Sequence, residues 1–318
     1  MGNKRNKPFK TIETYREEKN KFPSRSIRIL LQNQEKIRRD PSMYYDPDQD
    51  ERDIHQYYKP IKKIGKKGTV SFLHYHNLVK KTHKNQLPYY ISKDQYLYAW
   101  VDLHPDGTVK SIYSNETNDP NKLIEEDYQT IQKRYEQFQS NIRGMDKKDS
   151  TFLEQIKAID YRLKYNTEHI VPQSWFHAQQ PMKSDLHHLF VCHPECNVRR
   201  ANFPYTDFSF YQPESPDEII RNRCGVVKDE CFEPEYGKGA VARAMFYFLL
   251  RYPKAIRKNY LKQIDIPILV KWHDQFPVDL YEKHRNQAIY NIQGNRNPFI
   301  DFPNLIADFE FPNVNPTK

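Results

Sequence analysis

No stretch of the 318 residues approaches the roughly twenty consecutive apolar residues that a membrane-spanning helix needs. Nor does an apolar run follow the basic start MGNKRNKPFK. The pattern of a secretory signal is therefore missing, and an intracellular chain is the expectation, with export by another route left open. Position six is Asn6 rather than Ser or Thr, so the Met-Gly start is a poor myristoylation signal. No internal repeat or low-complexity segment is present, which sets aside repeat architectures. Cysteine is scarce at four residues.

What is present argues for a folded core. Hydrophobic residues make up 37% and aromatics 14% of the chain, which excludes wholesale disorder. A mean hydropathy of -0.94 and 22 prolines predict many surface loops. The length suits one large domain or two. Positive charge concentrates at the amino end: residues 1–40 carry 12 Lys+Arg against 5 Asp+Glu, most of the chain's net +9. Such a segment can meet nucleic-acid phosphates, or it can be a solvated tail or helix. Ile27, Ile29, Leu30 and Leu31 suggest that part of it packs.

Along the chain, Asp40 to Asp53 reads as a Pro-, Asp- and Tyr-rich connector. Residues 68–90 show no clean alternation. Leu97 to Leu103 and Thr108 to Tyr113 flank His104-Pro105-Asp106-Gly107, a hairpin signal, because Gly107 supplies the positive φ of the turn. Asn121 to Asn141 has apolar residues at three- and four-residue steps and predicts a helix; Ser150 to Leu163 predicts a second. Beyond a loop at Tyr205 to Asp229, helices are expected at Ala240 to Tyr252, Pro267 to Gln275 and Asp279 to Gln293, the last ending at Gly294. Arg243 and Arg251 could be phosphate contacts or members of buried ion pairs.

Chemistry concentrates in Tyr165 to Tyr205, YNTEHIVPQSWFHAQQPMKSDLHHLFVCHPECNVRRANFPY. Phosphodiester hydrolysis needs a base to deprotonate water, which a neutral imidazole does well. It also needs charge stabilisation at the phosphate, which a hard cation on oxygen ligands and an arginine supply. All these residue types are here. On an ideal strand Glu168 and His169 point to opposite faces, so the strand must end or bulge there, and Pro172 favours an ending. Alternation in Asp185 to Phe190 puts His187 with Asp185 and Leu189, making His187 the site candidate rather than His188. A helix then follows Pro194 and stops before Pro204.

This order, EH on one strand, DLHHL on the next and Asn followed by Arg-x-Asn on a helix, resembles the endonuclease I family of His-Me finger (ββα-metal) nucleases. Glu168, His169, Asp185, Leu186, His187, Leu189, Asn197, Arg200 and Asn202 carry the resemblance. It implies His169 as general base, Glu168 and Asn197 as ligands of one divalent ion, usually magnesium, and Arg200 at the scissile phosphate. The family's arginine can also come from between the strands, where this chain has Lys183 and no Arg. Arg199, Arg243 and Arg296 are further candidate phosphate contacts, Arg296 because the resemblance places the Gln293 to Pro298 turn near the cleft.

The resemblance covers residues 55–310. It implies an α+β fold in which a ββα-metal core at 165–205 sits inside a largely helical domain with an N-terminal β-hairpin region. Residues 1–54 form a basic extension and linker, and 311–318 a tail. Cys192, Cys196, Cys224 and Cys231 could form a structural zinc site, remain thiols or pair as disulfides. The expectation is a metal-dependent, largely sequence-nonspecific endonuclease acting on DNA or RNA to leave 5′-phosphates. The alternative is an inactive, zinc-stabilised nucleic-acid-binding module. No membrane partner is expected.

Overall fold

The computed structural model describes residues 22–61, 68–142, 165–211, 223–312 and 314. The expected helix from Ser150 to Leu163, the first twenty-one residues of the basic amino end and part of the loop after Tyr205 lie outside these. No described helix is long and apolar enough to cross a membrane.

Among the described residues helices dominate, joined by three two-stranded antiparallel sheets, so the fold is α+β. Helix α1 (Phe22–Arg39) lays Leu30 and Ile37 into a core while Leu31 stays exposed. Helix α2 (Pro47–Tyr58) occupies the stretch expected as a connector. Asp46 caps it by accepting from the Gln49 N–H (2.9 Å), and Pro47 stands at the first helical position, where its missing N–H costs nothing. Helix α3 (Gly68–Thr82) follows. A short helix α4 (Tyr89–Ile91) runs directly into a π-helical segment, Ser92–Val101.

That segment corrects the expected hairpin. Leu97 to Val101 is helical, and its residues Leu97, Tyr98, Ala99 and Val101 are all fully buried. The turn itself is present: His104 N–H donates to Thr108 O (2.8 Å) and Gly107 N–H to His104 O (2.9 Å). Strand β1 (Val109–Lys110) meets Leu103 in a single bridge and pairs instead with β2 (Thr117–Asn118). Helix α5 (Pro120–Ile142) matches the expected periodic stretch.

Strands β3 (Thr167–His169) and β4 (Leu189–Val191) pair with Glu168 opposite Phe190 and His169 opposite Leu189. Helix α6 (Pro194–Arg200) follows, with Pro194 in its first turn. Hairpin β5 (Val226–Lys228) and β6 (Cys231–Glu233) leads to α7 (Lys238–Arg251), short α8 (Lys258–Leu261), α9 (Ile266–Gln275), α10 (Leu280–Gln293) and α11 (Pro298–Asp301). Asp279 caps α10 through the Glu282 N–H (2.8 Å). Gly294 closes it at φ +91°, where an added Cβ would lie 2.6 Å from Thr82 O; only glycine fits.

Two apolar clusters hold the strands. One is built on α7 with Trp175, Phe176 and Trp272. The other joins α1, the π-helical segment and α5 to Leu186, Leu189 and Val191. The β3–β4 pair lies between them, so both sheet faces are covered and Glu168 and His169 are only 4% and 5% exposed.

Candidate functional site

β3 ends at His169, as the opposite facing of neighbouring strand residues requires. The His169 ring is fixed at both nitrogens: Nε2 lies 2.8 Å from Lys183 O and Nδ1 3.3 Å from Gln173 Nε2. A carbonyl only accepts and an amide N–H only donates. Nε2 therefore carries the proton, and Nδ1 presents a lone pair. Gln173 opens a 3-10 turn, Gln173–Phe176, and Lys183 lies in another, Met182–Ser184. Tyr89 and His188 flank the ring at 5.3 and 5.4 Å between centroids.

Glu168 is held from behind. The Tyr113 hydroxyl donates to its Oε1 (3.0 Å), and Arg200 Nε lies 3.2 Å from the same oxygen. Arg200 is fully buried, donates to Ile170 O (2.9 Å) and Ala201 O (3.2 Å), and sits over the Tyr205 ring. Burial opposes its charge, but Tyr205, Tyr113 and Glu168 outweigh that and raise its pKa above the ordinary arginine value. The expectation that Arg200 contacts the phosphate is corrected: its donors face Glu168 and the main chain, so it positions the carboxylate. Tyr113 and Tyr205, far apart in sequence and 2.7 Å apart at their hydroxyls, carried no signal of this role.

Helix α6 brings Asn197 to β3, where its amide N–H donates to Thr167 O (2.7 Å). That bond turns the carboxamide oxygen the other way. The Glu168 carboxylate and Asn197 Oδ1 are hard oxygen donors, the type that suits magnesium with waters in its remaining positions. Among the described residues no cluster of three or more His, Cys, Asp or Glu could hold a metal, and a cation that keeps several waters does not require one.

His187 is not brought to His169. Residues Leu186–His188 form a 3-10 turn, which breaks the period-two alternation from which His187 was chosen. His187 faces Tyr247 (4.2 Å between centroids) and Asn295 O (3.2 Å); burial pushes its pKa down to about 4. His188 is the one beside His169, with its Nε2 donating to Met182 O (2.6 Å). Asp185 is an anchor: it accepts from the Tyr247 and Tyr252 hydroxyls (2.7 and 2.8 Å), Gln293 (3.0 Å) and the His187 N–H (3.1 Å). Burial resists its charge, yet His83, His187 and His188 around it hold its pKa below the usual carboxylate range.

Two of the proposed phosphate contacts are internal. Arg243 is buried with both ends of its guanidinium on Glu282 (2.7 and 2.5 Å), and buried Arg296 bonds Asp301 and Asp50. Arg251 is buried against the Tyr252 ring. Arg199 is exposed on α6 and donates to Gly225 O (3.2 Å).

Of the alternatives for the four cysteines, a zinc site, thiols or disulfides, the structure has the last two. Cys196 and Cys224 form a disulfide, Cys192 is a buried thiol and Cys231 a partly exposed one, so two of the four sulfurs are removed from any zinc site. Burial raises the Cys192 pKa, which keeps it a thiol. The disulfide ties α6, beside Asn197, to the β5 hairpin at Gly225. That glycine has φ +102°, and a Cβ there would lie 2.2 Å from Glu233 O. Closing a loop of sequence separation 28 stabilises the fold by about 3.5 kcal/mol. Cys224→Ser is therefore expected to lower stability by about that much in urea unfolding. Unchanged urea midpoints for the variant and for dithiothreitol-treated protein would show that the link constrains nothing.

Comparison with known proteins bears on this site. Residues 73–304 match the family model described as Endonuclease I. An extracellular ribonuclease of Bacillus amyloliquefaciens is 32% identical over 154 residues, 44% of this chain and 51% of that protein. An extracellular deoxyribonuclease of Aeromonas hydrophila is 31% identical over 125 residues, 38% of this chain and 50% of that protein. A periplasmic deoxyribonuclease of the same species is 30% identical over 125 residues, 38% and 48% of the two chains. The chain thus spans about half the length of the curated relatives it matches. The expectation of an intracellular chain is overturned by these extracellular and periplasmic relatives.

Proposed function

The chain belongs to the endonuclease I family, and on that premise we propose that it is an exported, divalent-metal-dependent endonuclease with a ββα-metal site formed by β3, β4 and α6. The observation that carries this reading is His169, whose Nε2–H bond to Lys183 O leaves Nδ1 as the acceptor, on the strand that also carries Glu168 and to which Asn197 is bonded through Thr167 O. A disulfide fits an exported chain, because such bonds persist in oxidising compartments.

His169 Nδ1 takes a proton from water as the water oxygen bonds phosphorus and the bond from phosphorus to the 3′-oxygen breaks. Gln173 gives up its long contact with Nδ1 as the water arrives. The imidazolium that forms strengthens the Nε2–H bond to Lys183 O, which stabilises the charged ring. The leaving oxygen takes a proton from solvent, and the products carry 5′-phosphates. Glu168 and Asn197 would hold the cation, with Arg200 and Tyr113 fixing the carboxylate. A bound divalent ion supplies positive charge against the developing phosphorane and leaving oxygen. The attacking group is water rather than the ribose 2′-hydroxyl, so DNA and RNA both fit. No base-reading motif stands near among the described residues, and phosphate contacts carry no sequence information, so cleavage with little sequence specificity is the reading.

The test incubates the purified protein with plasmid DNA and with ribosomal RNA, in magnesium and in EDTA. Cleavage in magnesium, abolished by EDTA, is expected, with ends that a ligase accepts without added kinase. Cleavage that persists in EDTA removes the metal, and ends that need a kinase remove the assigned chemistry.

A further inference from the structure

With Arg243 and Arg296 bound to internal carboxylates and Arg200 clamping Glu168, the substrate's own phosphates are left to some other cation. Arg257, which no motif marks, stands against the finger. Its backbone N–H donates to Trp175 O (2.9 Å), docking it on the same 3-10 turn whose first residue, Gln173, touches His169. Its guanidinium lies over the Tyr260 ring, 4.6 Å from the centroid. Tyr260 in turn stacks on Trp175 (5.2 Å, 9° between planes) and receives the Asn202 amide at its hydroxyl (3.4 Å). The Trp175 indole N–H donates to Asn202 O (3.0 Å).

The Arg257 guanidinium is thus oriented from below by an aromatic stack that is itself tied to both sides of the site, to the turn after β3 and to the exit of α6. Yet its Nε is buried without a hydrogen-bond partner, and no carboxylate among the described residues pairs with it. A cation over a ring keeps its in-plane donors, and desolvated donors left unmet are unfavourable. Half-buried Arg257 combines a plane fixed on Tyr260 with a charge that no described carboxylate meets.

We propose that Arg257 binds a backbone phosphate of the nucleic-acid strand flanking the scissile bond, on the side bounded by the Gln173–Phe176 turn. This rests on the nuclease reading above and adds a substrate-positioning residue to it. The ligand is a phosphodiester, bound through its planar pair of oxygens without reference to the base. Tyr260 stacks on Trp175 and lies under Arg257, so its ring supports the cation.

The experiment compares full-length wild type, Arg257→Ala and Arg257→Lys on a fluorescein-labelled single-stranded oligonucleotide. It measures steady-state cleavage in magnesium, and binding in EDTA across a potassium chloride series. Loss of one charged contact is expected to raise KM about tenfold in Arg257→Ala with kcat little changed. The slope of log binding constant against log salt should become shallower by about 0.7. Arg257→Lys should restore the slope, because it keeps the charge, without fully restoring KM. An Arg257→Ala protein with unchanged KM and salt slope overturns the inference while leaving the nuclease intact. So does one whose melting temperature and kcat fall together at unchanged slope, since that is what a merely structural arginine would do. A wild type that cuts neither DNA nor RNA takes away the nuclease reading itself, and this inference with it.

Discussion

Replacing His169 with alanine is expected to slow hydrolysis of DNA and RNA about a thousandfold, within the range by which a positioned general base accelerates proton transfer. The loss should fall on kcat, because a general base acts on the attacking water and contributes little to holding substrate. The hydrogen bonds to Lys183 O and from Gln173 are lost as well, so the variant must be shown to be folded by circular dichroism and a cooperative melt. Oligonucleotide binding in EDTA should match wild type. A folded His169→Ala protein that retains a tenth or more of wild-type kcat would remove His169 from the role of base.

The second large effect concerns stability. Arg296 is fully buried between Asp301 and Asp50, with Nε and Nη2 on Asp301 (2.9 and 2.7 Å) and Nη2 also on Asp50 (2.8 Å). Asp50 belongs to α2 and Asp301 to α11, so one guanidinium joins elements from opposite ends of the chain. Arg296→Met leaves two carboxylates buried without their counter-charge, which costs about 3–5 kcal/mol. The hydroxyls of Tyr45 and Tyr58 and the Asn286 amide still donate to those carboxylates, but none brings positive charge. Urea unfolding measures the loss. Adding Asp50→Asn and Asp301→Asn to Arg296→Met should recover much of it, since the penalty lies in the stranded charges. A single variant within about 1 kcal/mol of wild type would mean that water reaches the pair and screens it.

Which parts of this were legible in the residues follows from range. Helices α5, α7, α9 and α10 fall within two or three residues of their expected bounds, because three- and four-residue periodicity and caps such as Asp279 and Gly294 are local signals. The order β3, β4, α6 was legible in the same way. Leu97 to Val101 misled because YLYAWV is apolar on every side, and a short run with no polar face has no period to read. Pro47 lies in the stretch expected as a connector and instead starts a helix, since proline at the first helical turn favours one. The arginines could not be sorted at all: Arg243 finds Glu282 thirty-nine residues on, and Arg296 finds Asp50 at a separation of 246. His187 was chosen over His188 by an alternation that a three-residue 3-10 turn erased.

The partner that fixes the His169 tautomer is the Lys183 carbonyl, part of the main chain. No substitution at position 183 deletes it. Among descendants of this sequence a change of side chain there keeps the oxygen, whereas a one-residue insertion or deletion between Pro181 and Asp185 would move it and unseat the imidazole. The segment should therefore vary in composition and keep its length. An engineer widening substrate range could exchange Lys183 without deleting that oxygen and should leave the loop's residue count alone.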